Sequence, residues 1–120
     1  QPSNFELSNI MRNCSLFIYP SWYEGFGIPI LESLNMGLPV ICSDIPSSIE
    51  VGKEYVTYFK NKSSYSLYRK ILEFSENPNN FIEKTISAKN FLKTMSWSRS
   101  IELTLKLYDQ LILNKKFNKK

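Results

Sequence analysis

Two carboxylates eight residues apart, Glu24 and Glu32, flank a glycine-bearing turn, Glu24-Gly25-Phe26-Gly27-Ile28-Pro29. Before the turn an apolar run, Leu16 to Tyr19, stops at Pro20; after it a short amphipathic segment closes at Gly37. The pattern reads as strand, loop, helix. Pro29 suits a first helical turn, where its missing N–H would have no intrahelical partner, and Gly37 suits the position just past a helix, where φ is often positive. The amides of Gly25, Phe26, Gly27 and Ile28 then approach a helix N-terminus, where unpaired N–H groups and the helix dipole attract an anion such as phosphate. Glycine lets a ligand come close to that backbone. A carboxylate beside such a site is a poor phosphate ligand but a good acceptor for hydroxyl donors, which a ribose or a hexose presents. The chemistry these residues suit is that of a sugar joined to phosphate.

The elements that must hold them follow from the apolar pattern. A second apolar run, Val40 to Cys42, begins after Pro39, so the unit reads as βαβ with the loop at the carboxyl end of its first strand. Strands are expected at Ser15 to Tyr19, Pro39 to Ser43 and Tyr55 to Phe59, the last after a turn at Gly52-Lys53. A helix over residues 5 to 13, with Asn4 as a cap, precedes the first strand and carries Phe5, Leu7, Ile10 and Met11. Asp44 to Glu50 reads as a loop with a helical turn, broken by Pro46 and the Ser47-Ser48 pair.

Beyond residue 60 the pattern is helical. Ser63 or Ser64 starts a helix whose face runs Leu67, Ile71, Phe74, and Asn77-Pro78 starts a second with Phe81, Ile82, Ile86, Ala88 and Leu92 on one stripe. Ser96 caps a third, along which Trp97, Ile101, Leu105, Tyr108 and Ile112 recur, with Leu103 and Leu107 off that face. The expected fold class is α/β, a partial Rossmann-like domain of about three parallel strands flanked by helices, with right-handed crossovers. Its first strand would leave an unpaired apolar edge, so self-association of the chain is expected.

At 120 residues the chain amounts to one domain at most. Cys14 and Cys42 make no disulfide framework, which reads as a reduced, cytoplasmic chain. It holds no histidine, so histidine-based zinc sites and Ser-His or Cys-His catalysis are excluded from this segment, and no other metal-ligand cluster stands out. No apolar run is long enough to span a membrane. Charge is uneven: residues 1 to 60 carry 3 basic against 6 acidic side chains, residues 61 to 120 carry 12 against 5. The excess at Lys115, Lys116, Lys119 and Lys120 reads as a solvated, frayed tail, with attraction to anionic lipid as the alternative. Nucleic acid is not expected as a partner, because no aromatic residues interleave with a structured basic stripe.

Taken together, Glu24-Gly-Phe-Gly-Ile-Pro-Ile-Leu-Glu32 resembles the E-x7-E motif of the group 1 family of retaining, nucleotide-sugar-dependent glycosyltransferases. Gly37-Leu-Pro-Val-Ile-Cys-Ser-Asp44 resembles the continuation of that motif, Glu50-Val51-Gly52 with Tyr58-Phe59 resembles the next segment, and Phe91 through Ser96-Trp97-Ser98 to Tyr108 resembles the terminal helix pattern, with Met95 where the family has Phe. The resemblance implies the later part of the C-terminal domain of a GT-B enzyme. Residues 1–114 would be part of the nucleotide-sugar-binding Rossmann-like domain and 115–120 a disordered basic tail. Glu24 would contact the transferred sugar and serve catalysis, the amides of Gly25, Phe26, Gly27 and Ile28 would meet the sugar and pyrophosphate, and Glu32 would accept from the nucleotide ribose.

Such folds bind the pyrophosphate without a metal, so no cofactor is expected. The implied partners are a nucleotide diphosphate-sugar donor and, through a missing N-terminal domain, a glycan or lipid-linked acceptor, in polysaccharide or glycolipid biosynthesis. The place would be the cytoplasm, with the inner membrane face as a second setting. The chain starts at Gln1 without an initiator Met and reads as a fragment inactive by itself. Rival readings are a non-catalytic nucleotide-sugar-binding or assembly module, an epimerase, and a glycan phosphorylase. For Trp22 and Tyr23 the cleft wall and the packing beneath it are equal alternatives, and for Phe26 only the amide is assigned a role.

Overall fold

A computed structural model describes residues 3–117; residues 118–120, the end of the expected tail, lie outside the described residues. The elements run α1 (Asn4–Arg12), β1 (Phe17–Tyr19), α2 (Ile28–Asn35), β2 (Val40–Ser43), α3 (Pro46–Gly52), a 3₁₀ turn (Lys53–Tyr55), β3 (Thr57–Phe59), α4 (Ser64–Glu76), α5 (Pro78–Ser87), α6 (Lys89–Thr94) and α7 (Trp97–Phe117). The residues up to Lys89 form one compact unit and those from Asn90 a second.

Three parallel strands in the order β1-β2-β3 make the sheet of the first unit. Phe17 pairs with Val40 and Tyr19 with Cys42; Ile41 pairs with Thr57 and Ser43 with Phe59. All four residues of β2 are buried, as a central parallel strand covered on both faces requires. Against it Ile41, Phe59 and Phe81 form a cluster on which Leu67, Ile71 and Phe74 pack, the face expected of α4. Phe74 meets Phe81 edge-on at 5.3 Å between ring centroids. Since Ile41 is wholly buried at the middle of the sheet, Ile41→Ala would cost about 2–5 kcal/mol.

Local chemistry sets the element ends. Helix α1 starts one residue earlier than expected: Ser3, not Asn4, is the cap, and Glu6 closes a capping box by accepting from the Ser3 N–H at 2.8 Å. Helix α2 ends in a Schellman motif, with Gly37 N–H donating to Leu34 O (3.0 Å) and Leu38 N–H to Ser33 O (2.9 Å), and Gly37 at φ 76°. Ser63 caps α4 by accepting from Ser66 N–H, and Ser96 Oγ accepts from Arg99 N–H at the start of α7.

Four expectations are corrected. The first strand begins at Phe17 instead of Ser15, and the third at Thr57 instead of Tyr55, because residues 53–55 take the 3₁₀ turn. The 44–50 segment is a seven-residue helix, α3: Pro46 sits in its first turn, where a missing N–H costs nothing, and so starts a helix instead of breaking one. The helix expected from Pro78 to Leu92 is two helices. Ser87 Oγ donates to Lys84 O at 2.6 Å and the Ala88 N–H turns back to Thr85 O, so local hydroxyl bonding displaces the regular ladder at that point. Helix α7 runs from Trp97 to Phe117. Along α7 neither the expected apolar face nor its flanks are buried: Trp97 is 80% exposed, and Ile101, Leu103, Leu105 and Leu107 are exposed too.

The corner between α3 and β3 is tight. Lys53 takes φ 46°, and its carbonyl accepts the Tyr58 hydroxyl at 2.7 Å. A Cβ placed on Gly52 would stand 2.6 Å from Val56 Cγ2 and 2.8 Å from the Tyr58 hydroxyl oxygen. Gly52→Ala should therefore destabilise the chain by about 1–3 kcal/mol through overpacking. Gly25, with nothing within 4 Å of its would-be Cβ, should tolerate Ala within about 0.5 kcal/mol. Urea unfolding of the two variants checks the contrast, and equal midpoints would refute it.

Candidate donor site at the carboxyl edge of the sheet

The Glu24 loop leaves the carboxyl end of β1 and turns into α2 at Gly27. That residue caps α2 at φ 104°, ψ 41°, in the left-handed region that glycine enters freely. With Gly27 left-handed, Ile28 becomes the first helical residue, Pro29 the second, and Ile30 N–H returns to Gly27 O at 3.0 Å. The N–H groups of Gly25, Phe26 and Gly27 enter none of the hydrogen bonds of the described residues, and the Ile28 N–H has no intrahelical acceptor. These N–H groups thus lie at and just before the positive end of α2, a setting that suits an anion. Glu32 lies in the second turn of α2, exposed to solvent.

Glu24 is partly exposed and held by its neighbours. The Ser21 hydroxyl donates to Glu24 Oε1 at 2.8 Å, and the Ser43 hydroxyl donates to the Ser21 carbonyl. The Glu24 carboxyl is held below its ordinary range, first by the Tyr19 hydroxyl and then by that of Ser21. In turn the Tyr19 hydroxyl is raised, first by its partial burial and then by Glu24. Glu24 therefore stays an anion, an acceptor for hydroxyls and not a proton donor.

The structure brings Glu24 and the Gly25–Ile28 amides together in one loop and sets Glu32 on the following helix; among the described residues no hydrogen bond joins the two carboxylates. Trp22 is 70% and Tyr23 87% exposed, so neither packs beneath the cleft, and Phe26, 46% exposed, is not core. Cys42, within β2, is buried and its thiol is pushed up to about 12, chiefly by that burial, which leaves it unreactive. Sequence reasoning missed Tyr19, Ser21 and Ser43 as supports of Glu24. A signal for the first two lay in their spacing, since Tyr19 and Ser21 flank Pro20 just ahead of the loop; nothing local marks Ser43, which lies 22 residues from its partner.

The pKa shift carries a sign. Because the folded carboxyl is depressed, Glu24 contributes stability that is present above the ordinary carboxylate pKa and lost as pH falls through the depressed folded value. Tyr19→Phe should raise the Glu24 midpoint, and by more than Ser21→Ala does, in a ¹³C NMR titration of the glutamate carboxyls. An unchanged midpoint in both variants would show that neither hydroxyl holds the carboxylate.

Comparisons with known proteins converge on one family. The family model described as Glycosyl transferases group 1 matches residues 1–90. An O-antigen chain mannosyltransferase B of Escherichia coli is 60% identical over 35 residues, 29% of this chain and 9% of that protein. An uncharacterized glycosyltransferase of Methanocaldococcus jannaschii is 32% identical over 111 residues, 88% of this chain and 31% of that protein. An N,N'-diacetylbacillosaminyl-diphospho-undecaprenol alpha-1,3-N-acetylgalactosaminyltransferase of Campylobacter jejuni is 26% identical over 113 residues, 91% of this chain and 30% of that protein. The chain spans less than a third of the length of each of these relatives.

Proposed function

The chain belongs to the group 1 glycosyl transferases, and on that premise we propose that it is the donor-binding portion of a retaining hexosyltransferase that uses a nucleotide diphosphate-sugar. The observation that carries this reading is the Glu24 loop: an anionic acceptor fixed by hydroxyls stands beside free amides at the positive end of α2. A sugar joined to a diphosphate presents the complementary pair, hydroxyl donors next to negative charge. Glu24 would accept from hydroxyls of the transferred sugar. The amides of Gly25, Phe26, Gly27 and Ile28 would meet the diphosphate, whose charge grows as the glycosidic bond breaks, so the same dipoles favour departure of the nucleotide. Glu32, exposed one turn further along α2, would accept from the ribose.

Neither carboxylate is assigned as general acid or nucleophile, because each addresses a different part of one donor. No cofactor or metal enters this scheme. A mannosyl or N-acetylhexosaminyl donor and a glycan or lipid-linked acceptor in polysaccharide assembly are the substrate classes the relatives' names support. Among the described residues no helix is long and apolar enough to cross a membrane.

Ligand-detected NMR of the chain with UDP-, GDP- and ADP-sugars tests the reading. One nucleotide-sugar should bind, and the Glu24→Ala, Glu32→Ala double variant should abolish it. Glu32→Ala alone should weaken both the nucleotide-sugar and the free nucleoside diphosphate by about 1.5–3 kcal/mol, the loss of charge-assisted hydrogen bonds. Glu24→Ala should weaken the nucleotide-sugar and spare the nucleoside diphosphate. Binding that survives in the double variant would overturn the site.

A further inference from the structure

A second loop, between β3 and α4, leaves the same edge of the sheet and meets the Glu24 loop through Lys62. Its backbone is closely fastened. Asn61 N–H donates to Asp44 Oδ1 at 2.6 Å, Lys60 N–H to Ser66 Oγ at 2.9 Å, and Ser63 N–H to Lys60 O at 3.1 Å. Between these bonds Lys62 takes φ 61°, a left-handed conformation uncommon for a residue with a Cβ and sustained only by surroundings that fix it. So held, Lys62 places Nζ 5.5 Å from the centroid of the Trp22 ring, over its face.

Trp22 is 70% exposed and not part of the core, so the Lys62 contact is one that can order its ring. Among the described residues, the loop that carries it is also tied at long range by the Ser43 hydroxyl on the Ser21 carbonyl. Glu24 comes two residues after Trp22. We propose that Lys62 is a positioning residue for Glu24: it grips the Trp22 ring and so holds the loop in the shape that aims the carboxylate at the donor sugar. The choice of an aromatic face as the target has chemical sense. A lysine paired directly with Glu24 would occupy the lone pairs that a sugar hydroxyl must use, whereas a cation over a ring fixes the loop and leaves the carboxylate free to accept. None of the salt bridges of the described residues involves Lys62.

This inference rests on the donor reading of Glu24, so its test must separate the two. The chain would be prepared with Lys62→Met, Lys62→Arg and Trp22→Leu. Three readouts apply: the NMR shift of the Lys62 ε-methylene, the titration midpoint of Glu24, and affinity for the nucleotide-sugar that binds the wild type against its nucleoside diphosphate. The wild-type ε-methylene should be moved upfield by the indole ring current and return to the random-coil position in Trp22→Leu. In that variant, which keeps the lysine charge, the Glu24 midpoint should still move toward its ordinary value, as the loop relaxes away from the Tyr19 and Ser21 hydroxyls. Lys62→Met should weaken the nucleotide-sugar about two- to five-fold, the scale of an exposed cation–π contact, while sparing the nucleoside diphosphate, and Lys62→Arg should restore it. No ring-current shift, a Glu24 midpoint unmoved in Trp22→Leu, or equal losses for both ligands would overturn the clamp. Should the wild type bind no nucleotide-sugar, the donor reading fails, and the ring-current shift and Glu24 midpoint decide the clamp by themselves.

Discussion

Two adjacent residues at the end of β2 hold the site together. Ser43 donates its hydroxyl to the Ser21 carbonyl in the loop after β1, and Asp44 accepts the Asn61 N–H in the loop after β3. Both edge-strand loops are thus tied to the central strand, whose four residues are buried and whose backbone pairs on both sides. A strand so placed is the least free part of the sheet. Function that depends on loop shape is therefore referred to the most rigid element available, which is how a parallel sheet positions ligands at its carboxyl edge.

The left-handed turn at Gly27 gives the second constraint. Without it the chain could not pass from β1 into α2 with three free amides at the helix start; a side chain at φ 104° would pay strain at the one place where the amides must stay aligned. Glu24 needs the opposite treatment. It is not buried, and its charge is kept by two hydroxyls instead of a cation. A carboxylate fixed by neutral donors retains acceptor capacity, whereas one fixed by an arginine or lysine would have spent it.

Much of this was legible in the sequence because the governing signals are local. Pro29 and Gly37 bracket α2 by backbone chemistry, Ser63 and Ser96 cap their helices, and the apolar runs at 16–19 and 40–42 mark the paired strands. What escaped depends on contacts far apart in the chain or on competition between nearly equal local options. Pro46 reads equally well as a breaker and as a helix starter, and only the burial of Ser48 and Val51 in α3 decides. The stop at Ala88 depends on which donor takes the Lys84 carbonyl, the next turn's amide or the Ser87 hydroxyl. The Ser43–Ser21 and Asp44–Asn61 ties join residues 22 and 17 apart, and no periodicity encodes them.

The site also explains why its aromatic residues look misplaced. Trp22, Tyr23 and Phe26 expose large apolar surface within five residues, which folding alone would not favour. On the proposed reading, a loop that meets a ligand stays at the surface, and its carboxylate is aimed only if the loop is also held. Aromatic side chains meet both demands at low entropic cost, since two torsions order a large surface. The Lys62 contact on Trp22 fits that logic, for it adds order to the loop without adding burial. By this argument the exposure of these rings follows from the place of the proposed site, on a loop at the carboxyl end of β1.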